Sequence, residues 1–174
     1  IIEKNKTFYK TKFFSDFKLN YAENLLSKKD DSLAINFLSE TGQEDSINWN
    51  SLYEKVCKFS SALKKLGINK NDRIAAHVPN KIETIISFLA CAKNGSIWSS
   101  ASPDFGIQGV VDRFNQIEPK VLITCDYYFY NGKKIGILDK VEAILKKIPS
   151  IKQVIIFSYE NSKSLELKKD YLNF

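Results

Sequence analysis

The stretch Ser96-Ile-Trp-Ser-Ser-Ala-Ser-Pro-Asp-Phe-Gly-Ile-Gln-Gly-Val-Val-Asp-Arg-Phe114 decides the fold, because its apolar period changes part-way along. Ile97 to Ala101 are small, β-branched or aromatic and follow Gly95, a glycine placed to stop a helix, so they read as a short buried strand. Past Ser102-Pro103 the apolar residues Ile107, Val110, Val111, Phe114 and Ile117 recur at i, i+3, i+4, i+7 and i+10. That spacing makes one face of a helix and cannot make one face of a strand. In open α/β sheets ligands bind outside the carboxyl ends of strands, where such turns sit. The turn Ser102-Pro-Asp-Phe-Gly106 is therefore the first candidate site.

Working outward, the same alternation repeats. Strands are predicted at Leu33 to Leu38, Arg73 to Val78, Lys120 to Cys125 and Gln153 to Phe157. Between the first two lies a helix with Leu52, Tyr53, Val56, Cys57, Ser60, Leu63 and Leu66 on one face, Asn50 or Ser51 as cap and Gly67 as stop. Ser51 with Glu54 has the spacing of a capping box. Asn80 with Glu83 has capping spacing for a helix over 81–93, whose apolar residues cover so much of its circumference that it should be buried on two sides. Tyr127 to Lys134 reads as a tyrosine-rich loop turning at Asn131-Gly132, and Ile135 to Ile148 as a helix. The fold class is α/β, a mostly parallel sheet of about five strands with helices on both faces.

Three parts are expected. Residues 1–32 form an amino-terminal arm whose rings (Phe8, Tyr9, Phe13, Phe14, Phe17 and Tyr21) cap a core formed elsewhere, with a short helix from Asn20 or Tyr21 to Leu26. Residues 33–157 form the α/β unit, and the polar residues 158–174 a frayed tail or linker.

Composition narrows the function. The 174 residues, 44% hydrophobic, suffice for one core. The net charge of +6 is carried by lysine, with Arg73 and Arg113 the only arginines, so the arginine-rich, clustered face of a nucleic-acid reader is absent. Nine lysines against five acids over residues 131–174 read as a solvated face. Cys57, Cys91 and Cys125 are odd in number and far apart, which suits buried thiols in a reducing cytoplasm and offers neither a metal set nor a redox pair. No apolar run reaches membrane-spanning length, and no leader pattern opens the chain, so no membrane association is expected.

Motifs that carry chemistry are few. Neither G-x-x-x-x-G-K-[ST] nor G-x-G-x-x-G occurs, and Gly106 with Gly109 gives half a pattern. His77, the single histidine, lies inside a strand with no partner signalled, which favours a core role satisfied by a neighbour. Asp112 and Arg113 are adjacent on a helix and cannot pair across a turn; Arg113 reads as an anchor for that helix.

Two segments carry a resemblance. Gly95 to Gly106 with Asp112-Arg113-Phe114, and Asn20-Tyr-Ala-Glu-Asn-Leu-Leu26 before them, resemble the acetoacetyl-CoA synthetase family, in the acetyl-CoA-synthetase-like branch of the adenylate-forming ligases. The resemblance spans roughly Tyr9 to Phe157. It implies a ligase that activates acetoacetate with Mg-ATP to an acyl-adenylate and passes the acyl group to coenzyme A. Family members are several times longer, and this chain starts at Ile1 without any methionine, so an amino-terminal piece is expected, its partners being the downstream domains of the same polypeptide. Catalytic residues and the ATP and Mg sites would then lie outside these residues, leaving the piece inactive alone.

What the resemblance implies within the chain is a contact with coenzyme A. Tyr130-Asn-Gly-Lys133 falls where relatives place two phosphate-binding arginines, with Tyr130 at the first position and Lys133 at the second. Lysine keeps the charge and loses the bidentate fork. Ser102-Pro103-Asp104 falls where relatives present a Phe-Gly-Gly turn to coenzyme A, and the missing glycines put close backbone approach in question. A structural turn, with Ser102 or Asp104 capping the next helix, is the other reading. Two alternatives stay open: a ligase for acetate or propionate, and a stand-alone α/β module whose lysine face holds an acidic partner.

Overall fold

The computed structural model describes residues 2–160 and 171–174. In chain order these form β1 (Ile2–Glu3), β2 (Lys12–Phe13), α1 (Tyr21–Leu25), β3 (Leu33–Leu38), β4 (Glu44–Asn48), α2 (Trp49–Lys65), β5 (Arg73–His77) and α3 (Ile82–Asn94). There follow β6 (Ile97–Ala101), α4 (Ile107–Phe114), β7 (Val121–Cys125), β8 (Tyr127–Tyr130), β9 (Lys133–Gly136), α5 (Leu138–Lys147), β10 (Gln153–Phe157) and β11 (Tyr171–Asn173).

Five strands build one parallel sheet in the order β11-β10-β7-β5-β6. Its interior residues divide by the two-residue period of a strand. Ile74, Ala76, Val121, Ile123, Cys125, Ile155 and Phe157 face one core, with α1, α2 and α3. Ala75, Leu122, Val154 and Ile156 face the other, with α4 and α5. Both faces of β7 are covered, which is why all five of its residues are buried and why its sequence is a continuous apolar run.

The alternation predicts this α/β class and the covered parallel sheet, while several element boundaries come out differently. Leu33–Leu38 is a strand but lies outside the sheet, pairing antiparallel with β4. Glu44–Asn48 buries Ile47 alone and shows no apolar alternation, so nothing local marks it. Because β4 runs directly into α2, the cap is Asn48, whose side chain accepts from the Ser51 amide at 2.8 Å, in place of Asn50 or Ser51. Asn80 does not cap α3; Lys81 holds that position with no side-chain bond. The wide burial of α3 is present, though Ile85 remains 40% exposed.

The predicted loop Tyr127 to Lys134 is the hairpin β8–β9. Asn131 and Gly132 both have positive φ, 50° and 72°, the geometry a two-residue hairpin turn requires. Ile135 and Gly136 belong to β9, so the helix begins at Leu138 rather than Ile135. Tyr171–Asn173 is the edge strand of the sheet, which corrects the expectation of a frayed tail at those residues; the part of that expectation covering 161–170 lies outside the described residues. The arm's short helix and the Asn20 cap occur as expected, yet Phe8 and Tyr9 are 83% and 81% exposed and Phe13, Phe14 and Phe17 are exposed too, so these rings cap no core among the described residues.

Candidate functional site

The chain leaves β5 for its neighbour β6 through α3, on one face, and leaves β7 for β10 with α5 on the other face. Adjacent strands whose connections depart to opposite faces open a crevice at their carboxyl ends. His77 closes β5 and is paired in register with Thr124 and Ala101. Thr124 donates its hydroxyl to the His77 carbonyl at 2.9 Å. The turn Ser102-Pro103-Asp104 continues from β6 at this edge, and Ser102 lines a cavity of about 200 Å³ with Val78, Pro79, Asn80 and Thr84.

Within the turn, Pro103 is buried while Ser102 and Asp104 are exposed. The Ser102 hydroxyl donates to the Asp104 carboxylate, and neither caps α4, whose N-cap is Gly106. That bond, then the backbone N–H of Asp104 and the Lys140 charge, hold Asp104 below the ordinary carboxylate range. Lys140, on α5, donates from Nζ to the Pro103 carbonyl at 3.1 Å and lies 5.8 Å from the ring of Tyr128 on β8. One side chain thus ties the turn to the hairpin that carries Tyr130 and Lys133. Only the tertiary fold brings Lys140 here, 37 residues downstream of Pro103, and no local pattern marks it.

His77 has no exposed surface, and among the described residues neither ring nitrogen has a hydrogen-bond partner. The core placement is as the sequence suggests, and the polar group acting on the ring is the Ser102 backbone. Burial lowers its pKa to about 4, the Lys140 charge adds to this, and the Ser102 backbone with Asp104 opposes it. A neutral, enclosed imidazole follows. Arg113 stacks on Phe105, with 4.7 Å from its guanidinium carbon to the ring centroid, anchoring α4 to the turn, and Asp112 accepts from Gln108 Nε2 at 2.6 Å.

Tyr130 and Lys133 are cross-strand partners at the tip of β8–β9. Both are exposed, and Lys133 has no ion-pair partner among the described residues. The turn between them is occupied from the other side. The amides of Asn131 and Gly132 donate to Glu40 Oε2 and Oε1 at 3.1 and 2.8 Å, across 91 and 92 residues of sequence. Glu40 stands in the β3–β4 turn. Further in, the same two hairpins share an aromatic hub: Tyr159 lies 5.5 Å from both Tyr127 and Phe129 and 6.5 Å from Phe37, between ring centroids.

Beneath that hub is a buried lysine that no sequence pattern marks. Lys81 is 2% exposed, its Nζ lies 4.6 Å from the Phe37 centroid and 5.0 Å from that of Tyr159, and it has no hydrogen-bond partner among the described residues. The two ring faces supply the electrostatic compensation a buried ammonium needs. They come from β3 and from beyond β10, so no spacing could signal the cage. Glu83 Oε2 is likewise buried without a partner, beside a cavity of about 410 Å³ lined by Phe59, Phe157 and Phe174. Cys91 and Cys125 are buried and Cys57 half-buried, all free thiols, and burial pushes Cys91 up to about 12. Among the described residues no group of three or more His, Cys, Asp or Glu is placed to hold a metal. Among the described residues no helix is long and apolar enough to cross a membrane.

The parallel sheet thus carries a small cavity at its carboxyl edge, and the β8–β9 hairpin tied to that edge by Lys140 presents an exposed lysine. Comparison with known proteins gives the family. The AMP-binding enzyme family model matches residues 23–172, and the chain belongs to that family. It is 36% identical over 160 residues to acetoacetyl-CoA synthetase of Macaca fascicularis, covering 90% of this chain and 24% of that protein. It is 47% identical over 137 residues to acetoacetyl-coenzyme A synthetase of Rhizobium meliloti, covering 79% of this chain and 21% of that protein. Among solved structures, acetoacetyl-CoA synthetase from Streptomyces lividans superposes with a TM-score of 0.82 at 32% identity, over 89% of this chain and 24% of that one. The chain therefore spans about a quarter of the length of these relatives.

Proposed function

We propose that this chain is the amino-terminal α/β portion of an acetoacetate-CoA ligase, with residues 1–32 as an arm, an α/β unit that runs from residue 33 and takes in the edge strand Tyr171–Asn173, and the remaining domains downstream on the same polypeptide. The observation that carries the reading is the identity of 36–47% to acetoacetyl-CoA synthetases over 79–90% of the chain. In the parent reaction the acetoacetate carboxylate attacks the α-phosphorus of ATP, giving acetoacetyl-adenylate and pyrophosphate. The coenzyme A thiol then attacks the adenylate carbonyl, forming the thioester and releasing AMP. Magnesium would offset charge on the phosphates. In this reading the groups that hold ATP and the metal lie in the downstream domains.

The role of this part is to shape and charge the wall against which coenzyme A rests. Lys133 meets a phosphate as a point charge, Tyr130 offers its ring beside it, and Ser102 with Asp104 presents the polar turn at the end of β6. Membership of the AMP-binding family favours a ligase over a stand-alone binding module. Acetate or propionate in place of acetoacetate is tested by substrate competition on the full-length enzyme, where acetoacetate is expected to prevail.

Two measurements test the rest. Lys133→Ala in the full-length enzyme should raise KM for coenzyme A about tenfold, the loss expected for one charge-assisted contact of about 1.5 kcal/mol, while Lys133→Arg keeps or lowers it. An unchanged KM in Lys133→Ala rules the contact out. The 174-residue chain alone should release no pyrophosphate from ATP with acetoacetate, and detection of adenylate would contradict the division of labour.

A further inference from the structure

The tip of β8–β9 is held from outside its own hairpin. Two consecutive amides, those of Asn131 and Gly132, point at one carboxylate, and each oxygen of Glu40 takes one of them. Both residues sit at positive φ, so the turn presents its N–H groups as a small concave pair. Tyr130 and Lys133 flank the pair directly. A two-stranded hairpin is marginal alone, and this one is outside the main sheet. What fixes its inner end is packing, since Tyr128 is buried and Tyr127 and Phe129 lie against Tyr159. At the tip, where Tyr130 and Lys133 are exposed, the Glu40 bonds are the fixed points.

We infer that Glu40 is a positioning residue for coenzyme A binding, pinning the Asn131-Gly132 turn so that Lys133 and Tyr130 stand ready for the nucleotide phosphates. The inference rests on the Lys133 contact proposed above. A long lysine side chain binds phosphate only as well as its backbone is placed, and two charge-assisted bonds to adjacent amides define that placement more tightly than one. Glu40 belongs to the β3–β4 turn, so the pin couples the tip of the coenzyme wall to the same hairpin whose Phe37 joins the aromatic hub further in.

The test is steady-state kinetics on the full-length enzyme with Glu40→Ala, Glu40→Gln, Lys133→Ala and the double variant Glu40→Ala/Lys133→Ala. Glu40→Ala should raise KM for coenzyme A about fivefold, with kcat and the KM for ATP within twofold of wild type. Glu40→Gln, which keeps one acceptor oxygen, should fall between. In the Lys133→Ala background, Glu40→Ala should add little, because its effect passes through Lys133; a purely structural role would add its full penalty in both backgrounds. If Lys133→Ala raises this KM and Glu40→Ala leaves it unchanged, the pin is refuted and the Lys133 contact survives. If Lys133→Ala has no effect, both fall. If removal of the carboxylate lowers KM, Glu40 competes with the ligand for the amides, which also overturns the inference.

Discussion

His77 is a neutral ring sealed at the end of β5, and its cost is paid in pH dependence. In the unfolded chain it titrates near 6.5, in the folded state near 4. As pH falls from 6.5 toward 4 the unfolded chain takes up a proton that the folded one refuses. Stability present above pH 6.5 is therefore lost across that window, by about 3 kcal/mol in total. Asp72, lowered mainly by its bond from Lys120 and then by the Asn69 amide, and Asp104 contribute stability that is lost only as pH falls through their depressed values, further into acid. The urea midpoint of wild type should drop between pH 6.5 and 4, and that of His77→Leu should stay level. Parallel curves would show that the ring is accessible to protons in the folded state.

Elements here are joined by single polar side chains as much as by their apolar faces. Asn20 caps α1 by accepting from the amides of Ala22 and Glu23, and its Nδ2 donates to the carbonyls of Ala92 and Lys93 at the end of α3. It satisfies the start of one helix and the end of another, groups left open within each helix alone. Asn20→Ala should cost about 2 kcal/mol in a thermal or denaturant melt, and Asn20→Asp, which keeps the cap and loses the donor, about half that. A loss confined to a few tenths would mean that the two helices dock without it. A similar logic operates where Ser60 on α2 donates to Asn94 Oδ1 at 2.5 Å and Asn94 returns a bond to the Ser60 carbonyl at 3.1 Å. These ties explain how α1 and α2 are both seated on α3.

At the scale of the whole molecule, the amino-terminal arm stands apart from the core. None of residues 2–19 is buried, so they contribute little of the apolar burial that holds the rest. Deleting residues 1–19 should shift Tm by less than about 2 °C, measured by calorimetry on the 174-residue chain; a large drop would show that the arm's rings are engaged after all. If the longer protein proposed above packs its downstream domains on these rings, the same deletion should reduce expression or solubility of that protein.

How much of this was legible in the sequence follows from the range of the forces involved. Local ones write themselves into spacing: the switch from strand to helix across Ser102-Pro103, the Asn20 cap, the Asn131-Gly132 turn and the apolar runs of β5, β7 and β10 all act within a few residues, and with the Gly95–Gly106 and Asn20–Leu26 segments they determine an α/β sheet and point to a ligase family. What only the tertiary structure decided depends on partners far apart in the chain. The β3–β4 hairpin leaves the sheet and Tyr171–Asn173 enters it, because strand pairing is a choice among distant edges. Lys140 reaches the Pro103 carbonyl, Glu40 the hairpin tip, and Phe37 with Tyr159 the buried Lys81. Each of these depends on where the chain returns in space, which no periodicity encodes.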